Sequence, residues 1–118
     1  MRLITVEILG VKLEADLLNP KVARKYEEGI KKVAEVSSHA AESGSGPDWI
    51  EKDCNAVIRF LDEVFGPGSA KKVFGEEVDL LTCLDAFEEI VELYDNQINP
   101  VLAARANALK AKAGKDER

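Results

Sequence analysis

Hydrophobic and polar residues alternate along the first sixteen residues, which is the period of a β-strand with one buried face. The apolar members of the two alternating segments are Ile4, Val6, Ile8, Val11, Leu13 and Ala15. Gly10 separates the segments and permits a tight turn. We therefore predict a β-hairpin over residues 1–16. A hairpin is marginal alone, so it either lies on the helices or adds to another sheet.

Beyond Asp16 the apolar residues recur every three or four positions, which predicts amphipathic helices. Asn19 and Pro20 are typical of a helix start, and the first helix should run to about Ala41, with Gly29 inside its apolar stripe. A second helix should begin at Pro47. Its predicted apolar face comprises Trp49 or Ile50, Cys54, Val57, Ile58, Leu61, Val64 and Phe65.

Gly66, Pro67 and Gly68 break the second helix, and Ser69 should cap a short helical turn over residues 70–74. A long helix capped by Asp79 should follow. Its apolar seam, which we expect to face the core, consists of Leu80, Leu84, Phe87, Val91, Tyr94 and Ile98.

Pro100 interrupts this last helix and either ends it near Asp95 or kinks it. Residues 101–109 form another helix-favouring run, whereas the chain from Lys110 onward should fray. We predict a mainly α fold, a compact helical domain with a short N-terminal β-hairpin. The domain should span residues 1–113, and residues 114–118 should form a disordered tail.

Charge is divided unevenly in the C-terminal third of the chain. Residues 76–95 contain eight acids and no base, whereas residues 101–118 contain five bases and two acids. Such opposed blocks could steer a partner or a second copy of the chain. The net charge of −6 argues against nucleic-acid binding. We find no apolar run that would span a bilayer and no signal peptide, so we expect a cytoplasmic protein without membrane contact.

The residues available for catalysis are few. His39 is the single histidine, and its place near the end of the first helix favours a structural or exposed role. Cys54 and Cys83 lie on apolar faces, have no metal-ligand spacing and should be buried, reduced thiols. Gly66 to Lys72 has glycines and lysines but lacks phosphate-loop spacing. We predict no catalytic residue, metal or cofactor, and no enzymatic activity.

Residues 60–75 read FLDEVFGPGSAKKVFG and are followed by Val78, Asp79, Leu80 and the acidic helix. This layout resembles that of small tail-assembly proteins of siphophages that infect Gram-positive bacteria. The resemblance implies a tail assembly chaperone, which is a non-enzymatic protein that binds the long helical tape measure protein and helps recruit tail tube subunits. Such proteins are often encoded with a frameshifted longer form.

Two surfaces are the candidates for partner binding, namely the outer hairpin face and the run after Pro100. Their residues are Leu3, Thr5, Glu7, Val101, Leu102, Arg105 and Leu109. Exposed strand edges and apolar helix faces are the features used in strand addition and helix-in-groove binding. We expect the chain to bind itself as a homo-oligomer and to bind tape measure and tail tube proteins. The alternative is a small cytosolic adaptor or antitoxin-like regulatory module.

Overall fold

The structure is a computed structural model that describes residues 2–39 and 46–116. Within these ranges the elements are β1 (Ile4–Ile8), β2 (Val11–Ala15), α1 (Pro20–His39), α2 (Gly46–Phe65), α3 (Ser69–Phe74), α4 (Leu80–Val91) and α5 (Asn99–Asp116), with a π turn at Tyr94–Ile98. The predicted class, a mainly α fold with a short N-terminal β-hairpin, is confirmed. The predicted end of the first helix at about Ala41 lies outside the described residues, as does the role predicted for the His39 side chain.

The hairpin has the predicted faces and a two-residue turn. Strands β1 and β2 are antiparallel, and Ile8 pairs with Val11 across the turn. Leu9 and Gly10 both have positive φ, 50° and 78°, as a type I′ turn requires. Leucine rarely adopts this conformation. The Glu89 side chain supports it by accepting the Leu9 backbone N–H at 3.0 Å.

One hydrophobic core joins the hairpin to the helices. Val6, Ile8, Leu13 and Ala15 are buried on the inner face of the hairpin, together with Leu17 from the connection to α1. They join buried residues of α1, α2 and α4 in one cluster. The hairpin therefore lies on the helices of its own chain. This is the first of the two alternatives that the sequence left open.

Helix α1 begins at the predicted cap and packs closely on α2. The Asn19 side-chain oxygen accepts the Lys21 backbone N–H at 2.9 Å, so the predicted Asn19 cap is confirmed. Gly29 faces the Phe60 ring of α2, and a Cβ placed on Gly29 would lie 2.5 Å from that ring. Gly29 thus allows α1 and α2 to approach each other closely. Phe60 is not part of the apolar face predicted for α2, although its side chain is buried.

The capping residue of α3 differs from the predicted one. Helix α3 follows Gly68, which makes no side-chain capping bond. The Asp62 carboxylate in α2 accepts the Ala70 N–H instead, at 3.0 Å. The prediction that Ser69 caps this turn is therefore wrong. A cap supplied by an earlier helix depends on how the chain folds back, and local spacing does not show it.

Helix α4 buries a face displaced by about one residue from the predicted seam. Its buried residues are Cys83, Ala86 and Ile90, whereas Leu84 and Val91 are exposed. The sequence of α4 carries two overlapping apolar stripes. Since Cys83 and Ala86 are small, the stripe that contains them permits the closer approach to α2.

The helical backbone continues past Pro100. A π turn at Tyr94–Ile98 leads directly into α5, and the Asn99 N–H bonds to the Tyr94 carbonyl five residues earlier. Pro100 lies at the second position of α5, directly after the π turn, where the regular bonding between residues four apart is already interrupted. The interruption therefore precedes Pro100 and takes the form of a π turn, and Pro100 does not end the helix.

Helix α5 extends away from the core. Residues 99–114 are all exposed. The radius of gyration is 17.5 Å and the longest dimension is 69 Å, whereas a globular chain of this length would have a radius of about 13.5 Å. The backbone is helical to Asp116, whereas the predicted domain ended at residue 113. The disorder expected at Glu117 and Arg118 lies outside the described residues.

Asp79 caps α4 as predicted, and this cap should make the stability of the fold depend on pH in the acidic range. Its carboxylate accepts the Thr82 N–H at 2.9 Å and the Thr82 hydroxyl at 2.7 Å. These hydrogen bonds hold the pKa of Asp79 below its ordinary value of 3.8, and the bond from the Thr82 backbone N–H contributes the most. Because the folded-state pKa is depressed, the stabilisation is present above pH 3.8 and is lost as pH falls through the folded-state pKa.

We therefore expect Asp79→Ala to lower the melting temperature near neutral pH. The difference from wild type should shrink below pH 3.8. Asp79→Asn is the matched control, since it keeps a capping oxygen and does not titrate. Melting curves recorded from about pH 6 to about pH 2 would check this. A difference between wild type and Asp79→Ala that stays constant over this range would contradict it.

Candidate functional site

A groove lies between the hairpin and the first turns of α5. Its volume is about 620 Å³. The lining residues are Arg2, Leu3, Ile4, Asp16, Leu18, Asn19, Val101, Leu102 and Arg105. Three segments supply them: the start of β1, the connection from β2 to α1, and the N-terminal half of α5.

The apolar lining of this groove is open to solvent. Leu3 is 51 % exposed and Val101 is 55 % exposed, and Leu18 and Leu102 are exposed as well. A cluster of large apolar side chains left in water is unusual on a monomer surface unless another molecule covers it. The groove can therefore accept apolar side chains from a partner.

Four of the seven predicted partner-binding residues meet in this groove. Leu3 comes from the hairpin, and Val101, Leu102 and Arg105 come from α5. The sequence placed these residues on two separate surfaces. The fold makes one surface of them because α5 begins beside the hairpin.

The other three predicted residues do not line the groove. Thr5 and Glu7 are exposed on the outer face of β1, and Leu109 lies further along α5. The backbone of Glu7 is already paired, because its N–H and carbonyl bond to the Gln97 side-chain amide, each at 2.8 Å. Part of the β1 edge, which was predicted to be free for strand addition, is thus occupied by this contact.

The same contact fixes α5 relative to the hairpin. Gln97 lies in the π turn, directly before α5, so its two bonds to β1 set where α5 begins. Tyr94, in the same turn, donates its hydroxyl to the Leu17 carbonyl at 2.6 Å. These hydrogen bonds hold the start of α5 against the hairpin and against the connection to α1, beside the groove. Such fixed walls favour a preformed binding surface.

Tyr26 secures the α4 side of this junction. Its hydroxyl donates to the Ile90 carbonyl at the end of α4, and its ring contacts the Tyr94 ring at a centroid distance of 4.7 Å. Burial raises the pKa of Tyr26, and the charges of Tyr94 and Asp95 add to the effect. The hydroxyl therefore stays protonated as a donor. A side chain bonded to a helix carbonyl is a recognised cause of irregular helix geometry, and the π turn begins four residues later.

Charge at the groove is mixed. Arg2 and Arg105 contribute two cations, and Asp16 contributes one carboxylate. Arginines beside an apolar groove suit a partner that carries acidic residues next to its apolar stripe. The groove thus combines an apolar contact area with a preference for a negatively charged partner.

Five groove residues were not among the predicted partner-binding residues, namely Arg2, Ile4, Asp16, Leu18 and Asn19. Leu17 and Leu18 are adjacent in the sequence, yet Leu17 is fully buried and Leu18 is exposed. The hairpin period could have assigned them, since alternation beyond Ala15 places Leu17 on the inner face. Leu18 lies in one groove with residues of α5 because the π turn sets where α5 begins, and the sequence carries no clear signal for that turn.

The remaining reactive groups do not form a second site in the part of the chain that the structure describes. Cys54 and Cys83 are buried and unbridged, as predicted. Burial raises the pKa of the Cys83 thiol, and a hydrogen bond with Cys54 adds to the shift, so the nucleophilic thiolate is disfavoured. Among residues 2–39 and 46–116, no group of three His, Cys, Asp or Glu side chains converges to hold a metal ion. No described helix is both long and apolar enough to cross a bilayer.

The fold and the groove define a small, mainly helical protein with an N-terminal hairpin and an open apolar surface. Residues 9–118 match the model of a family of unknown function, DUF6673, and the chain belongs to that family. No curated protein and no solved structure matches the chain.

Proposed function

We propose that this protein is a non-enzymatic, phage tail-assembly chaperone-like protein that acts in the host cytoplasm. In this proposal it binds a long helical tape measure protein and assists the recruitment of tail tube subunits around it. The observation that supports the proposal is the open groove between the hairpin and α5, together with the resemblance of residues 60–75 to siphophage tail-assembly proteins.

The groove has the character of a receptor for an amphipathic helix. Leu3, Leu18, Val101 and Leu102 offer an apolar floor that can receive side chains spaced three and four residues apart. Arg2 and Arg105 are placed to meet acidic residues beside that stripe. A tape measure protein is long and helical, so it can present such a stripe many times.

The segment that carries the resemblance has a defined role in this fold. Residues 60–65 end α2, Gly66 and Gly68 turn the chain with positive φ, and α3 follows. Asp62 closes the unit by capping α3. The segment thereby directs the chain into α4 and so determines where α5 emerges. A shared layout in this segment would place the last helix in the same way in the proteins that it resembles.

The proposal is tested by affinity capture of the tagged protein from cells that express its native gene neighbourhood. We expect mass spectrometry to identify a very long, predominantly helical protein in the captured material. Leu3→Asp should abolish this capture, because it places a carboxylate in the groove beside α5. Ile50→Asp is the matched control, since Ile50 is an exposed apolar residue of α2 outside the groove.

Two results would count against the proposal. Recovery of an unrelated short protein by wild type, lost in Leu3→Asp, would favour the adaptor or antitoxin-like alternative. Equal recovery of the long helical protein by Leu3→Asp and Ile50→Asp would show that the groove does not bind it.

A further inference from the structure

The outward face of α4 carries an unpartnered apolar stripe among acidic residues. Leu84 is 40 % exposed and Val91 is 49 % exposed, and Glu88 lies between them on the same face. All eight charged residues from Glu76 to Asp95 are acids. We call this surface, formed by Leu84, Glu88 and Val91, the acidic stripe.

Helix α5 carries a stripe of the opposite charge. Leu102 and Leu109 are exposed, the latter by 59 %, and Arg105 lies between them on the same face. The charged residues from position 96 to position 115 are all bases. We call this surface, formed by Leu102, Arg105 and Leu109, the basic stripe.

The two stripes match in spacing when the helices run antiparallel. Leu84, Glu88 and Val91 are separated by four and three residues, and Leu102, Arg105 and Leu109 by three and four. The first and last residues of each stripe are seven positions apart, or about 10.5 Å along the helix. Antiparallel alignment therefore places Leu102 against Val91, Arg105 against Glu88, and Leu109 against Leu84. A parallel alignment of the leucines at 84 and 102 would place Arg105 against Phe87 instead.

One chain cannot make this contact with itself in the described conformation. Helices α4 and α5 are successive segments of one helical backbone joined by the π turn, and they run in the same direction. An antiparallel contact between them would require a reversal of the chain at this turn. The partner that matches both stripes is therefore a second copy.

We propose that the basic stripe of α5 docks antiparallel on the acidic stripe of α4 in another copy of this chain. The leucine and valine contacts exclude water, and the Arg105 to Glu88 pair fixes the register. Each copy carries both stripes, so the contact closes reciprocally in a dimer or continues from copy to copy.

This self-association goes beyond the proposed function and can fail independently of it. Glu88 lies outside the groove, and Leu3 lies outside both stripes. Leu102 and Arg105 belong to the groove as well as to the basic stripe. A helical partner in the groove and a second copy on α5 should consequently compete for the first turns of α5.

The test is the concentration dependence of association, measured by sedimentation velocity on Arg105→Glu and Glu88→Arg. Each change places like charges opposite each other, so we expect each variant to self-associate at least about tenfold more weakly than wild type. A mixture of the two variants should recover wild-type association. In the mixture, Glu at 105 meets Arg at 88 in one contact, and the reciprocal contact has the wild-type charges.

Lys110→Glu is the matched control, because it makes the same charge change on α5 about a third of a turn from the basic stripe. It should weaken association much less than Arg105→Glu does. Both tested positions are exposed, and circular dichroism would verify that helix content is kept. If either charge-reversal variant lost helix content, the neutral variants Arg105→Gln and Glu88→Gln would be used instead. We expect each of these to weaken association by a smaller factor.

Three results would overturn the proposal. The first is a wild-type protein that stays monomeric at every concentration. The second is equal weakening by Lys110→Glu and Arg105→Glu. The third is failure of the mixed variants to recover association, since recovery on mixing depends on a contact between different copies. Loss of partner capture in Leu3→Asp with unchanged self-association would leave this proposal standing and would concern the groove alone.

Discussion

Ile8→Ala is expected to lower the free energy of unfolding by about 2–4 kcal/mol. Ile8 is fully buried where the inner face of the hairpin meets the helices. Truncation to alanine removes apolar contacts and leaves a cavity that the surrounding structure closes only in part. The same logic predicts that deletion of residues 1–16 would expose helix surface and cause aggregation.

Urea unfolding of Ile8→Ala, followed by circular dichroism, would measure this loss. Thr5→Ala is the matched control, because Thr5 lies on the same strand with its side chain exposed, and we expect a change within about 0.5 kcal/mol. A soluble, folded Ile8→Ala protein of unchanged stability would show that the hairpin is not part of the core. The hairpin would then be better explained as an assembly element.

Gly29→Ala should destabilise the protein, although alanine is ordinarily the better residue inside a helix. The added Cβ would lie 2.5 and 2.7 Å from two carbons of the buried Phe60 ring. The ring cannot move aside freely, since it also packs edge-on against Tyr26 with a centroid distance of 5.7 Å. Overpacking of this kind costs about 1–3 kcal/mol, which outweighs the gain of about 1 kcal/mol in helix propensity.

A double-mutant cycle with Phe60→Leu separates the two effects. In the Phe60→Leu background the ring is absent, so Gly29→Ala should become neutral or stabilising. Thermal unfolding of the four proteins supplies the cycle. Glu28→Ala, at the preceding exposed position of α1, controls for a general change in helix propensity. A stabilising Gly29→Ala in the wild-type background would contradict the close contact between α1 and α2.

The parts of the fold that the sequence predicted are those that depend on local signals. The hairpin period, the Asn19 and Asp79 caps and the glycine at the turn each act over a few residues. The face of α4 was harder to assign because two apolar stripes overlap there. Packing against α2 selected the stripe that contains Cys83 and Ala86, and this choice depends on the three-dimensional fit of small side chains.

The candidate site shows a similar limit. Leu3, Val101, Leu102 and Arg105 were predicted from exposure and charge, yet nothing in their spacing placed them beside each other. Their meeting depends on the π turn before Pro100 and on the Gln97 amide that bonds to the backbone of Glu7. The Gln97 contact joins residues 90 positions apart in the sequence, and a contact of that kind leaves no local signal.

The measurement that tests the central claim most directly is site-specific photo-crosslinking in cells that express the native gene neighbourhood. A benzophenone amino acid in place of Val101 would lie in the groove, and the same group in place of Ile50 would lie outside it. We predict that the Val101 position crosslinks to a long helical protein, at acidic and apolar residues of one helix face, and that the Ile50 position does not. Crosslinking of that protein from Ile50 alone, or from neither position, would contradict a role of the groove in binding it.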